Sequence, residues 1–241
     1  MLTKTEAVVL RTVKYGDQKM IVDMLTEEFG RLSFAVRPSM SQRGKLKKQF
    51  FQPMTMLAVD LDYRSSAALQ HLREVRLLLP YTSLTTDPAK LSVAMFVAEF
   101  LCYATRNEQQ NRPLFQFVAN SMAWLDAATE GYANFHLVFM MRLSRFLGFF
   151  PNLEDYSAGC LFDLRAAEFT PHHPGHPDVL SAEESARVET LMRMSFETMR
   201  LFRLSHSERN RITEIALYYY RLHIAQMPEL RSFEVLKEMW K

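Results

Sequence analysis

The spacing of apolar residues changes once along this 241-residue chain, and the change divides it into a β part and an α part. Up to Pro80 the apolar positions alternate, the period of a strand; from Asp87 onward they recur at helical spacing. In the first strand Ala7, Val9 and Val13 fall on one face, with Val8, Leu10 and Thr12 on the other. The turn "YGDQ" leads into "KMIVDMLT", and the turn "EEFG" leads into "RLSFAVR". A fourth strand, "QPMTMLAVDLDY", enters through Pro53, and "AALQHLREVRLLL" supplies a fifth. Five short strands with a long insertion between the third and fourth predict an OB-type β-barrel, a fold that often binds oligonucleotides.

The polar link "LPYTSLTTDPAK" separates this block from the helices. The expected fold class is therefore α+β: an OB-type domain over 1–80, then an α-helical domain over 81–241 with an irregular loop region at about 152–180. Asp87 caps the first helix and Pro88 occupies its first turn; Leu91, Met95, Ala98 and Cys102 line one face. A second helix is expected from about Pro113 to Ala128. A third, "NFHLVFMMRLSRFLGFF", is apolar almost all round, which suits a central helix, and ends at Gly148. Ser181 with Glu184, and Ser205 with Glu208, are capping-box pairs. Val188, Leu191, Ser195, Met199 and Phe202 mark a buried face after the first pair. The helix after Ser205 is expected to run to near Pro228, and a short one starts near Phe233.

A hydrophobic content of 48% is ample for packed cores and excludes disorder as the main state. The N-terminus lacks the apolar core of a signal peptide, and no uncharged apolar stretch approaches the ~18 residues of a membrane span. Cys102 and Cys160 imply no disulfide framework and read as reduced core thiols. The expected location is the cytoplasm, with no membrane partner.

Charge is the informative property. No Asp or Glu occurs from Phe29 to Val59, while that window holds six Lys or Arg. Residues 1–80 carry 13 basic and 8 acidic side chains; the remainder carries 16 and 19. A basic N-terminal third in a chain of net charge +2 points to a polyanion at that end. Arg37, Arg43, Lys45, Lys47 and Lys48 are the central candidates, extended by Arg11, Lys14, Lys19 and Arg31. Tyr15, Phe34, Phe50 and Phe51 are the aromatics that either stack on unpaired bases or fill the barrel.

The commonest enzyme signatures are missing. "RGKLKK" lacks both the upstream Gly and the following Ser or Thr of a phosphate loop, and there is no G-x-S-x-G or H-E-x-x-H. "TPHHPGHP" places His172, His173 and His176 in a proline-bounded loop; it reads either as an exposed His-rich loop or, in a rival reading, as the site of a metal-dependent enzyme. No catalytic residue, cofactor or metal is expected.

Taken in order, Val9-Leu10-Arg11, Tyr15-Gly16, Leu25-Thr26, Phe29-Gly30 and Gln52-Pro53, followed by "LSRFLGFFPNL" and "LFDLRAAEFT", resemble the RecO family of recombination mediators along essentially the whole chain. The resemblance implies an N-terminal OB barrel and a helical C-terminal domain. It implies binding of single- and double-stranded DNA, annealing of complementary strands, work with RecR, and loading of recombinase onto DNA coated by single-strand binding protein. It further implies a pocket in the helical domain for the acidic, Phe-containing tail of that protein, for which Arg142 and Arg145 are the candidates. The other reading is a general OB-type single-strand binder without a mediator role. Many family members hold zinc through four cysteines after the Leu-Gly-Phe-x-Pro segment. Here Tyr156 stands near the first expected position and only Cys160 is present, so the loop is expected to be held by packing of Tyr156, Leu161, Phe162 and Phe169.

Overall fold

The computed structural model describes residues 2–39 and 46–240. They form two compact units, Met1–Ala127 with Leu230–Leu236, and Ala128–Glu229 with Lys237–Lys241.

The first unit is built on five antiparallel strands: β1 (Leu2–Tyr15), β2 (Lys19–Thr26), β3 (Gly30–Val36), β4 (Met56–Asp62) and β5 (His71–Leu79). Their order in the sheet is β3-β2-β1-β4-β5. The long strand β1 is shared: Leu2–Val8 pairs with β4, and Ala7–Tyr15 pairs with β2. A bulge between Val9 and Arg11 bends β1 where it passes from one partner to the other. Next to the start of β5, Phe34 of β3 bridges Gln70: Ala35 N donates to Gln70 O (3.1 Å) and Gln70 N to Ser33 O (2.8 Å). The five expected strands are present in an OB-like arrangement, but the sheet does not close into the expected continuous barrel. Its interior is filled by alternate residues, among them Ala7, Val9, Met20, Val22, Met24, Phe34, Phe51, Leu57 and Val59.

The bulge also corrects the face assignment of β1. Simple alternation groups Val13 with Ala7 and Val9. One extra residue at Leu10 shifts the phase, so Thr12 and Lys14 oppose the core residues Val22 and Met20, while Arg11, Val13 and Tyr15 point outward. Val13 is 45% exposed in consequence.

The same unit holds α1 (Pro88–Ala104), α2 (Arg112–Ala127) and the short α6 (Arg231–Leu236). Asp87 caps α1 by accepting from Ala89 N (2.8 Å) and Lys90 N (3.2 Å). The buried face of α1 is Val93, Phe96, Val97, Phe100 and Leu101; of the face read from sequence, Ala98 and Cys102 are buried but Leu91 and Met95 are exposed.

In the second unit the apolar α3 (Phe135–Leu147) packs with α4 (Ala182–Arg193) and α5 (His206–His223). Gly148 ends α3 in the left-handed conformation, φ 86°. Both capping Ser residues accept from the backbone N–H three residues on. The expected loop region contains three very short strands, β6 (Leu161–Asp163), β7 (Glu168–Thr170) and β8 (Val179–Leu180), in the order β7-β6-β8. Two or three residues are too few to show a period. The helical face read through Phe202 breaks after Arg193, because Ser195 and Thr198 bond each other's backbone N–H (2.9 and 3.2 Å) and replace the helical bonds. Helix α5 likewise stops at His223, short of Pro228.

Candidate nucleic-acid interface

A groove of about 740 Å³ opens at one end of the sheet. It is lined by Thr12 and Lys14 of β1, Asp17 and Gln18 of the β1–β2 turn, Lys19 and Met20 of β2, Arg37 and Pro38 after β3, and Lys48. Residues distant in sequence converge here for a simple reason: the antiparallel pairing of β1, β2 and β3 brings the end of β1, the start of β2 and the end of β3 to one side. The shifted phase after the bulge turns Lys14 toward it. Four cations and one carboxylate line the groove, so its field favours an anion.

Arg37 is steadied by a hydrogen bond to the Gln18 side chain. Within the acid-free segment Ser39 N donates to Leu46 O (2.8 Å), and the chain continues into a 3-10 turn over Lys48–Phe51. Lys47 is half-buried, with its ammonium 5.9 Å from the centre of the Phe50 ring; Lys48 is exposed. Arg43 and Lys45 lie outside the described residues.

Arg11 and Arg31 sit elsewhere, on the outward face, around the buried Asp23. Arg11 donates from Nε (3.1 Å) and Nη2 (2.9 Å), Arg31 Nη2 stands at 3.0 Å, and the Ser33 hydroxyl donates at 2.5 Å. Burial alone would raise the Asp23 carboxyl, but the Ser33 hydrogen bond and the charges of Arg31 and Arg11 outweigh it and hold it below the usual range. The Arg11 side chain keeps 46% of its surface, whereas Arg31 keeps 11%. Arg31 is therefore an interior ion-pair partner, and Arg11 remains open to an outside anion. Asp23 was not singled out in the sequence, although an acid in the middle of "KMIVDMLT" is a usable signal. Gln18 carried none.

Of the four aromatics, Phe34 (0%) and Phe51 (2%) are core, Phe50 is half-buried, and Tyr15 is 60% exposed. In the second unit Arg142 Nη2 donates to Met194 O (2.9 Å), and the Arg145 guanidinium lies 4.3 Å from the centre of the Phe150 ring.

The donors of the irregular region do not fit a zinc ion. Cys160 is buried, and ring contacts join Tyr156 to Phe169 (5.0 Å) and Phe162 to Phe169 (4.9 Å). His176 Nε2 lies 3.2 Å from Asp163, His173 Nδ1 accepts from Gly175 N, and His172 uses its backbone carbonyl to accept from Thr170. Among the described residues no group of three or more His, Cys, Asp or Glu is placed to hold a metal ion. No helix among them is long and apolar enough to cross a membrane.

An open OB-like sheet with a cation-lined groove at its mouth defines the class: a nucleic-acid-binding module joined to helices. The family described as "Recombination protein O N terminal" matches residues 1–81, and "Recombination protein O C terminal" matches 85–232. Proteins named DNA repair protein RecO resemble the chain over its whole length and theirs: 46% identical in Phocaeicola vulgatus, 45% in Bacteroides fragilis and 30% in Christiangramia forsetii. The chain belongs to the RecO family of DNA repair and recombination proteins.

Proposed function

We propose that this chain is a recombination mediator that binds DNA, anneals complementary strands, and helps load recombinase onto DNA coated by single-strand binding protein. The observation that carries this reading is the meeting of Lys14, Lys19, Arg37 and Lys48 in one groove beside the acid-free segment. Residues 1–80 are the DNA-binding domain in this reading, and Arg43, Lys45 and Lys47 add to the footprint. Annealing needs no covalent step, so the protein acts as a binding catalyst. Cations shield the phosphates of two strands, which lowers their repulsion, and backbone contacts leave base edges free to pair. RecR and the tail of single-strand binding protein are the protein partners, with Arg142 and Arg145 meeting the tail's carboxylates. The setting is the cytoplasm, at the nucleoid.

The test is annealing of two complementary oligonucleotides coated with their cognate single-strand binding protein, across a salt series. Acceleration that falls steeply with salt supports the reading. Binding of bare strands without annealing of coated ones reduces it to a general single-strand binder. A tail peptide that binds an Arg142→Ala/Arg145→Ala variant at full strength removes those two residues.

A further inference from the structure

The basic groove accounts for phosphates, but one exposed feature beside it has no use for a phosphate. Tyr15 ends β1 at the β1–β2 hairpin and is 60% exposed, two residues from the exposed Val13. A tyrosine ring left in water at a strand end contributes nothing to the core. Its direction is set by the bulge between Val9 and Arg11: in strict alternation Tyr15 would share the inward face of Ala7 and Val9. With one residue inserted it turns out, while its neighbour Lys14 turns toward the groove. Directly across from Tyr15 in the register is Lys19, so an ammonium stands on the ring's own face of the hairpin. The other candidate aromatics are withdrawn, Phe34 and Phe51 into the core and Phe50 beneath Lys47.

We infer that Tyr15 is a stacking platform for one unpaired base, and that it makes the groove prefer single strands to duplex. The inference rests on the nucleic-acid reading of the groove. A flat π-face with Lys19 across the hairpin from it and the groove's cations nearby offers a single strand a place for one base face beside its phosphates. A duplex offers the same phosphates but keeps its base faces stacked inside, so the ring gains nothing from it. The lysines then set overall affinity and its salt dependence, and Tyr15 sets the difference between paired and unpaired DNA.

The experiment compares the full chain with its Tyr15→Ala and Tyr15→Phe variants by fluorescence anisotropy. The probes are a labelled 30-nucleotide oligothymidylate and a labelled duplex of equal length, each over a salt series. The expected result for Tyr15→Ala is a loss of roughly 5- to 150-fold on the single strand, the range for one stacked base. Its salt slope should be unchanged and its duplex affinity should stay within about twofold, while Tyr15→Phe, which keeps the π-face, binds as the parent does. Three outcomes overturn the inference: an undiminished single-strand affinity in Tyr15→Ala, an equal loss on both probes, or a Tyr15→Phe variant as weak as Tyr15→Ala, which would make the hydroxyl the contact. If the parent chain binds neither probe at low salt, the nucleic-acid reading of the groove fails and the inference falls with it. That result is read from the parent alone and is distinct from the variant outcomes.

Discussion

Arg31 Nη2 on β3 lies 3.0 Å from the Asp23 carboxylate on β2, and both side chains are withdrawn from solvent, at 11% and 4% exposure. The pair fixes the outward face of the sheet just beyond the groove. Replacing Asp23 by Ala leaves the Arg31 charge buried without its partner. The expected cost is about 3–5 kcal/mol in urea unfolding, the range for breaking a buried pair from one side. The converse change at the more exposed Arg11 costs less. Because the Asp23 carboxyl is held below the ordinary range, the unfolded chain binds its proton more readily. Its contribution is therefore present at neutral pH and is lost as pH falls through and below the ordinary carboxylate range. An Asp23→Asn chain whose stability keeps the parent's acid dependence contradicts this.

Asp126, at the end of α2, accepts from the backbone N–H groups of Thr82 (2.9 Å), Ser83 (2.8 Å) and Leu84 (2.7 Å) and so pins the link between sheet and helices. Burial pushes its carboxyl up, but these hydrogen bonds prevail and bring it from 3.8 to about 2. Its stabilisation is complete above the unfolded value and disappears as pH drops from 3.8 toward about 2. At pH 7, Asp126→Ala should destabilise the chain by about 1–3 kcal/mol, the cost of unmade hydrogen bonds. Thermal unfolding of both proteins at pH 7 and pH 2.5 should show a gap that narrows with acid.

Binding to single-stranded DNA should weaken linearly in log affinity against log salt. If Lys14, Lys19, Arg37, Arg43, Lys45, Lys47 and Lys48 each meet a phosphate, the slope is about −5, at about −0.7 per contact. Changing Lys14 and Lys48 together to Ala should make the slope shallower by about 1.4. A triple Lys45, Lys47 and Lys48 to Ala variant should anneal strands more slowly, and an unchanged rate in that variant removes the basic segment from the mechanism.

Gly30 turns β2 into β3 at φ +67°, and a Cβ there would stand 2.3 Å from the carbonyl oxygen of Gln109. Gly30→Ala combines an unfavourable backbone conformation with a clash against main chain, so the loss should exceed the roughly 1 kcal/mol of conformational strain alone. Gly16, at φ +66° in the first hairpin, has nothing within 4 Å of such a Cβ. Gly16→Ala should therefore cost less than Gly30→Ala in a paired melting experiment.

Ring contacts join Tyr156, Phe162 and Phe169 across the irregular region. A chelator should leave the melting temperature unchanged, and Phe169→Ala should lower stability by about 3–5 kcal/mol, as for other buried aromatic truncations. A chelator-sensitive melt would show that some other donor set is in use.

Much of this architecture could be read directly. Alternation up to Pro80 and helical spacing after Asp87 identify the five strands and the helices. Asp87, Ser181 and Ser205 mark helix starts, because a cap is a local hydrogen bond between near neighbours. The acid-free window locates the basic end, because charge needs no fold to be counted. What sequence could not supply are relations between distant segments. Whether alternation runs unbroken through β1 depends on how that strand divides its length between β4 and β2, and the bulge that results decides that Lys14 faces the groove and Tyr15 faces out. The separate fates of Arg31 and Arg37, two cations on one short segment, follow from which partner lies opposite: buried Asp23 for one, the Gln18 side chain for the other. Composition and period thus determined the fold class and the sign of the surface charge, which are additive properties of single residues. Tertiary pairing alone decided which cations stay open to solvent in the groove and which are withdrawn into ion pairs, because that depends on register and burial between strands far apart in the chain.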